Sequence, residues 1–395
     1  MSEVSVRMLE LPAPDANAAA HSERLRQLLS ERIRSHGPLS FAQYMEQVLY
    51  EPGLGYYMAG AAKFGAEGDF VTAPEISPLF GAALANEVRG VLARHGGGVL
   101  ELGAGSGRLA LSILQTLAGE GGLDYTILEP SADLVQRQQQ LLREHLDETA
   151  FSRVAWIATL PDSFSGVIIA NEVMDALPVE RFVKSVSSAG QIEQVCVTAE
   201  LTAFNRPAPA VLQLAVAAIE NDLGEPLPAG YCSEACLYLK PWIAALAQTL
   251  ASGVILLVDY GYPRREYYLP ERVQGTMTCY YRHRSHDDPF YWPGLQDLTA
   301  HVDFTAVAEA AVSQELDLLG YASQSAYLLD NQLLTLAEQQ TALADSEVHR
   351  IQIAQAVKTL TLPSEMGERF QVMALGKGYD HDLSGFHSQD LAYRL

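Results

Sequence analysis

The chain is short of basic residues, of cysteine and of long apolar runs, and each shortage excludes something. Lys and Arg total 26 against 48 Asp and Glu, a formal net charge of −22. Phosphate backbones are held by basic faces, so no nucleic-acid partner is expected. Four cysteines in 395 residues do not make the disulfide framework of a small secreted protein. Cys232, Cys236, Cys279 and His283 are residue types that can hold zinc. Their spacing is loose, so the reading adopted is four ordinary thiols and no metal. No run of about 18 apolar residues occurs, so no membrane span is expected. The N-terminus has neither a basic segment followed by an apolar one nor an Arg-rich, acid-poor leader, which makes the cytoplasm the expected location.

What is present is the composition of an ordinary folded protein, 48% apolar and 19% charged. A chain of this length suits one large domain with insertions, or two domains. The region 1–98 reads as an N-terminal extension. Leu25, Leu28, Leu29 and Ile33 follow helical spacing up to Gly37-Pro38, and a Gly-, Pro- and Tyr-rich loop stretch follows over 41–80. Phe80, Leu84, Val88 and Leu92 predict a further helix, closed by three glycines.

From residue 99 onward strand and helix alternate. Strands are expected at 99–102, 125–129, 153–157, 166–170, 253–258, 316–321 and 370–375, with helices near 107–118 and 131–146. That alternation predicts an α/β fold, a mostly parallel sheet with helices on both faces. About eighty residues separate the fourth and fifth strands, too many for a simple crossover, so an insertion is expected at about 180–250. A second, helical one is expected at 325–362.

The most informative stretch is Val99-Leu100-Glu101-Leu102-Gly103-Ala104-Gly105-Ser106-Gly107-Arg108. An apolar strand ends in an acid, a G-x-G-x-G turn follows, and a helix opens. Glycine allows positive φ and close approach of the backbone to a ligand. A carboxylate at Glu101 would repel a pyrophosphate but suits a cation such as the sulfonium amino acid of S-adenosylmethionine. Glu129, at the end of the next strand, stands where an acid accepts hydrogen bonds from ribose hydroxyls in doubly wound folds. In open α/β sheets ligands sit outside the carboxyl ends of the strands. Those ends also include the Trp156 region, Asn171-Glu172 and Asp259. Asn171, Glu172 and Asp175 would put two carboxylates and an amide around one small volume, able to bind a guanidinium or accept a proton. Capping of a following helix is the competing role for Asp175. His301 is a candidate for lining the site or a structural histidine. Tyr56, Tyr57, Tyr280 and Tyr281 are candidates for an aromatic wall or for packing. The run Arg282, His283, Arg284 and His286 reads as a solvated surface or an internal ion-pair partner.

Here a resemblance becomes specific. The stretches GPLSFAQYMEQVLYEPGLGYY (37–57), FGAEGDFVTAPEISPLFG (64–81), LELGAGSGRLA (100–110), IIANEVMDALPVERF (168–182), VDYGY (258–262), GTMTCYYRH (275–283), DLTAHVDF (297–304) and LTLPSEMGERFQVM (360–373) resemble the MidA family of class I S-adenosylmethionine-dependent methyltransferases. LELGAGSG is common to many methyltransferases, whereas GDFVTAPEIS with ANEVMDALP is selective. The mitochondrial members are protein-arginine methyltransferases acting in respiratory complex I assembly. The resemblance implies a Rossmann-like, seven-stranded class I fold with S-adenosylmethionine as cofactor and a protein substrate, with a respiratory-complex subunit as a candidate. Glu101, Gly103, Gly105, Gly107 and Glu129 carry over as cofactor residues. Thr72, Pro74 and Glu75, with Asn171, would close over cofactor and target. Glu172 and Asp175 are then the candidate catalytic pair, and Glu75, Asp259 and His301 the candidate substrate-binding residues. The match departs in 190–230 and 325–360, so the identity of the target does not transfer. A cofactor-binding assembly or chaperone-like protein and a small-molecule methyltransferase are the alternatives.

Overall fold

In a computed structural model, residues 11–59, 72–119, 122–188 and 190–395 are described. The segment 64–71 of the FGAEGDFV motif therefore lies outside the described residues. Seven strands build the central sheet: β1 (Gly98–Leu102), β2 (Tyr125–Leu128), β3 (Val154–Ile157), β4 (Phe164–Asn171), β5 (Leu250–Tyr262), β6 (Asp317–Ser323) and β7 (Phe370–Lys377). Their spatial order is β3-β2-β1-β4-β5-β7-β6. The pairs from β3 to β5 are parallel, while β7 runs antiparallel to both of its neighbours. A short strand, Val302–Asp303, adds in parallel to the end of β5.

The near-continuous apolar character of the central strands β1, β4, β5 and β7 follows from burial on both faces. Alternate residues point to opposite sides of a strand. Val99, Ile127, Val167, Ile169, Val254 and Val258 join one core with the helices Pro78–His95 and Arg108–Thr116. Leu100, Ile168, Ala170, Ile255 and Leu257 join another with the helices Leu239–Thr249 and Phe304–Val312. Strand order reverses between β1 and β4, the position at which such sheets open a crevice at their carboxyl edge.

The chain between β4 and β5 forms a sheet of its own. Strands Ile192–Val197, Glu180–Lys184 and Cys232–Ala235 pair in that order, all antiparallel, with Ala203–Pro207 beside Ile192–Val197. The N-terminal region joins this sheet, where Leu39 and Ser40 pair with Val197 and Cys196 on the side away from Ala203–Pro207. Leu25, Leu29, Phe41, Tyr44 and Val48 share a core with Val195, Val197, Cys279 and Leu298. Ser40 begins the helix Phe41–Tyr50 with a reciprocal capping box to Gln43, which fixes the entry of a helix that ends on Tyr50. Between β6 and β7 lie three helices, Gln324–Asp330, Leu333–Leu343 and Glu347–Thr361, which bury Tyr327, Leu328, Leu333, Ile353 and Leu360 against the first core.

Candidate functional site

At the carboxyl edge of β1, β2 and β4 lies a cavity of about 500 Å³, within the range of small-molecule and cofactor sites. Its lining includes Thr72, Pro74, Glu101, Gly103, Gly105, Glu129, Asn171, Glu172 and Asp175, together with Tyr50, Tyr57 and Trp242. Gly107, Glu75, Asp259 and His301 are not part of that lining.

One end of the cavity is built by the glycine turn. Gly103, Gly105 and Gly107 have φ of 63°, 53° and 86°, the left-handed region that side chains resist. Glu101 is buried and accepts a hydrogen bond from Tyr125 Oη at 2.8 Å. Burial raises its carboxyl to about 7, opposed by that bond and reinforced by the charge of Glu129. Glu129 accepts from the backbone N–H of Ser131 at 2.9 Å and from Gln138 Nε2 at 3.3 Å. Gln138 Nε2 also donates to the carbonyl of Gly105 at 2.9 Å, and its Oε1 accepts from Trp156 Nε1 at 3.0 Å. One amide thus ties the glycine turn, the end of β2 and β3 together. Sequence reasoning missed Gln138, because a polar residue in a helix of low hydrophobicity reads as solvated. The nearby Trp156 at a strand end was the available clue.

The other end is built where β4 leaves the sheet. Glu172 has φ of 53°, a conformation that costs a non-glycine residue and is found where the surroundings impose it. Its backbone N–H donates to the Val258 carbonyl at 2.8 Å, and its Oε1 accepts from Ala73 N at 3.4 Å and Asn171 Nδ2 at 3.3 Å. Burial, followed by the charge of Asp175, raises its carboxyl to about 8. Burial also raises Asp175, to about 6, against a hydrogen bond from the Tyr260 hydroxyl to its Oδ2. Two buried oxygens of this group, Asn171 Oδ1 and Asp175 Oδ1, have no hydrogen-bond partner. Buried acceptors are normally satisfied, and both of these residues belong to the lining of the cavity.

Several expectations change. No helix follows Asp175: the chain turns and enters the strand Glu180–Lys184, so the capping role fails for want of a helix to cap. Asp259 is fully buried, and its carboxylate accepts from the backbone N–H groups of Met174, Asp175 and Tyr260 at 2.9, 3.2 and 2.9 Å. It fastens the turn that carries Asp175 and takes no part in the lining of this cavity. Glu75 pairs with Arg108 at 2.8 Å and accepts from the Ser106 hydroxyl, clasping the short helix Ala73–Ile76 to the glycine turn. His301 stacks on Tyr262 with ring centroids 5.3 Å apart and borders a separate cavity rather than this one.

Of the tyrosines, Tyr57 lines the cavity and stacks with Tyr50 at 5.6 Å. Tyr56 is packed in the core, and Tyr280 and Tyr281 lie on a small three-stranded sheet. Arg282, His283 and Arg284 are exposed at the hairpin turn of that sheet. Among the described residues no group of three or more His, Cys, Asp and Glu side chains is arranged to hold a metal, so Cys232, Cys236, Cys279 and His283 are not brought together. No described helix is long and apolar enough to cross a membrane.

A bed of positive-φ glycines flanked by acids at two successive strand ends fits an S-adenosyl nucleoside with a cationic amino-acid arm. Comparison with known proteins gives the same answer. Residues 79–322 match the model of a family described as S-adenosyl-L-methionine-dependent methyltransferases. The chain belongs to that family. Its cofactor is accordingly S-adenosylmethionine. The chain is 31% identical to the Drosophila melanogaster mitochondrial homologue of protein arginine methyltransferase NDUFAF7, over 92% of this chain and 88% of the relative. It is 28% identical to the Homo sapiens mitochondrial protein of that name, over 88% and 82%. A crystal structure from Burkholderia thailandensis bound to S-adenosyl-homocysteine superposes with a TM-score of 0.89 at 40% identity, covering 98% of this chain and 100% of that one. The expectation of a cytoplasmic location does not stand, because these curated relatives are named as mitochondrial proteins.

Proposed function

We propose that this methyltransferase acts on an arginine side chain of a protein, with Glu172 and Asp175 facing the guanidinium. The observation that carries the reading is the pair of unpartnered buried oxygens, Asn171 Oδ1 and Asp175 Oδ1, beside Glu172 in the cavity that also contains the glycine turn. A guanidinium is a planar cation with five N–H donors in a fixed fork, the complement of such a set. The names of the mitochondrial relatives support the same acceptor.

When bound, S-adenosylmethionine supplies an electrophilic methyl group on a positively charged sulfur. In this reading Glu101 faces the cationic amino-acid arm and Glu129 the ribose hydroxyls. Gly103 and Gly105 keep the floor open, and Thr72 and Pro74 cover the cavity with Tyr50 and Tyr57. At the other end, Asn171 and Asp175 orient the guanidinium while Glu172 takes the proton that its nitrogen loses on methylation. Burial keeps both carboxyl groups near neutral pH, where a general base is useful. The N-terminal region 1–98 would act as a cover and the sheet inserted after β4 as part of the surface that meets the protein substrate. A respiratory-complex subunit is the acceptor to try first, on the resemblance to complex I assembly methyltransferases.

The test is to incubate the purified protein and methyl-labelled S-adenosylmethionine with mitochondrial lysate, then hydrolyse the labelled polypeptide to amino acids. Methylarginine is expected. Label confined to methyllysine, or to small molecules, would refute the acceptor assignment.

A further inference from the structure

The sequence VDYGY places a tyrosine directly after the buried Asp259, and its position in the fold is not that of a packing residue alone. Tyr260 makes the last pair of β5 with β7, opposite Phe370, with its ring edge-on to Phe370 at 5.4 Å and to His301 at 5.0 Å. Those two contacts fix the plane of the ring and aim the hydroxyl across the sheet edge. The hydroxyl donates to Asp175 Oδ2, and the other oxygen of that carboxylate is left without a partner. Asp259 holds the backbone of both residues, through the N–H groups of Asp175 and Tyr260.

We propose that Tyr260 is a positioning residue for the acceptor site: it clamps Oδ2 of Asp175 so that Oδ1 is the oxygen presented to the incoming cation. This rests on the assignment of Asp175 to the acceptor. A carboxylate on a turn, free to rotate about its χ2, would spread its negative charge over two directions. One fixed oxygen gives the guanidinium a single seat, and orientation of this kind is worth much in a displacement reaction.

The electrostatics agree. Burial and the neighbouring charge of Asp175 push the Tyr260 hydroxyl well above its usual range, so it remains a donor. His301 is pushed down to about 4 by burial, so it is neutral and places no cation beside the clamp. The groups facing Asp175 are Glu172 in its own turn, Asp259 and Tyr260 from β5, Tyr50 and Tyr57 from the N-terminal region, and Tyr280 from the three-stranded sheet. All of these are acids or phenols; the cation Arg369, just before β7, acts on the neighbouring Tyr280 and His301. Tyr260 is the one whose hydroxyl stabilises the ionised form of Asp175 by a direct side-chain hydrogen bond.

Tyr260→Phe removes the hydroxyl and keeps the ring. Carbon-13 NMR of side-chain-labelled aspartate, with the Asp175 signal assigned by its loss in Asp175→Asn, reads the clamp without any substrate. The midpoint of that signal should move up by about one pH unit in Tyr260→Phe. An unchanged midpoint in a variant of parental melting temperature overturns the proposal. In methyl transfer, kcat should fall about tenfold and the acidic limb of its pH profile should move to higher pH, with S-adenosylhomocysteine affinity unchanged. The same substitution in Asp175→Asn should add nothing; a further drop of similar size there would show that Tyr260 acts by another route. If wild-type protein methylates no arginine, the acceptor reading fails, while the NMR midpoint still decides the clamp.

Discussion

The two ends of the cavity are built on opposite principles. At the β1–β2 end the protein's polar groups are tied to one another: Tyr125 to Glu101, Ser131 and Gln138 to Glu129, Gln138 to the glycine turn, Trp156 to Gln138. At the β4–β5 end Glu172 sits at positive φ, and Asn171 and Asp175 each keep an unpartnered oxygen. The first end is a bed made in advance for a ligand of fixed shape. The second leaves two buried oxygens without a partner, which the proposed acceptor would satisfy. The difference implies that cofactor affinity and methyl transfer depend on separate sets of residues, and substitutions can break or sharpen that division.

The largest effect is expected at the glycine turn. Gly105→Val forces a β-branched side chain into φ of 53° on the cavity floor. Calorimetric binding of S-adenosylhomocysteine should disappear while circular dichroism stays that of the folded parent. At the other end, Glu172→Gln should cut single-turnover methyl transfer about a hundredfold, the scale of one lost general base. The third effect is Glu129→Ala, which should weaken S-adenosylhomocysteine by about 1–3 kcal/mol, the range for unmade hydrogen bonds to a charged group. Smaller still, the affinity for cationic S-adenosylmethionine should depend on pH. Glu101 binds a cation only when ionised, and its carboxyl is raised to about 7. Affinity should therefore rise as pH increases through about 7, and a flat profile from pH 6 to 8 would place the amino-acid arm elsewhere.

The division between the two ends also tracks what the sequence reveals. The glycine turn and its two acids are local: Glu101 lies near the end of β1 and Glu129 just after β2, so both stand out from neighbouring residues alone. The central strands were legible for a related reason, since burial on both faces makes β4, β5 and β7 largely apolar. Boundaries drifted where pairing outlasts apolarity, as in β5, which runs on to Tyr262 past the buried Asp259. At the acceptor end the decisive contacts join residues far apart in the chain. The Asp259 carboxylate is spent on the turn after β4, Tyr260 reaches Asp175, and Ala73 donates to Glu172. None of these leaves a spacing signal. The turn at Asp175 resembled a helix start because Asp is a good cap, and only the pairing of Glu180–Lys184 with neighbouring strands shows that a strand follows.

The account is tested most directly by measuring S-adenosylhomocysteine affinity and single-turnover methyl transfer side by side in Glu129→Ala and Glu172→Gln, with saturating S-adenosylmethionine in the turnover arm. It predicts a crossed result. Glu129→Ala should lose affinity yet transfer its methyl group at nearly the parental rate, whereas Glu172→Gln should keep its affinity and lose about a hundredfold in rate. If both variants lose affinity and rate together, or if Glu172→Gln turns over normally, the division between a cofactor bed and an acceptor seat is wrong.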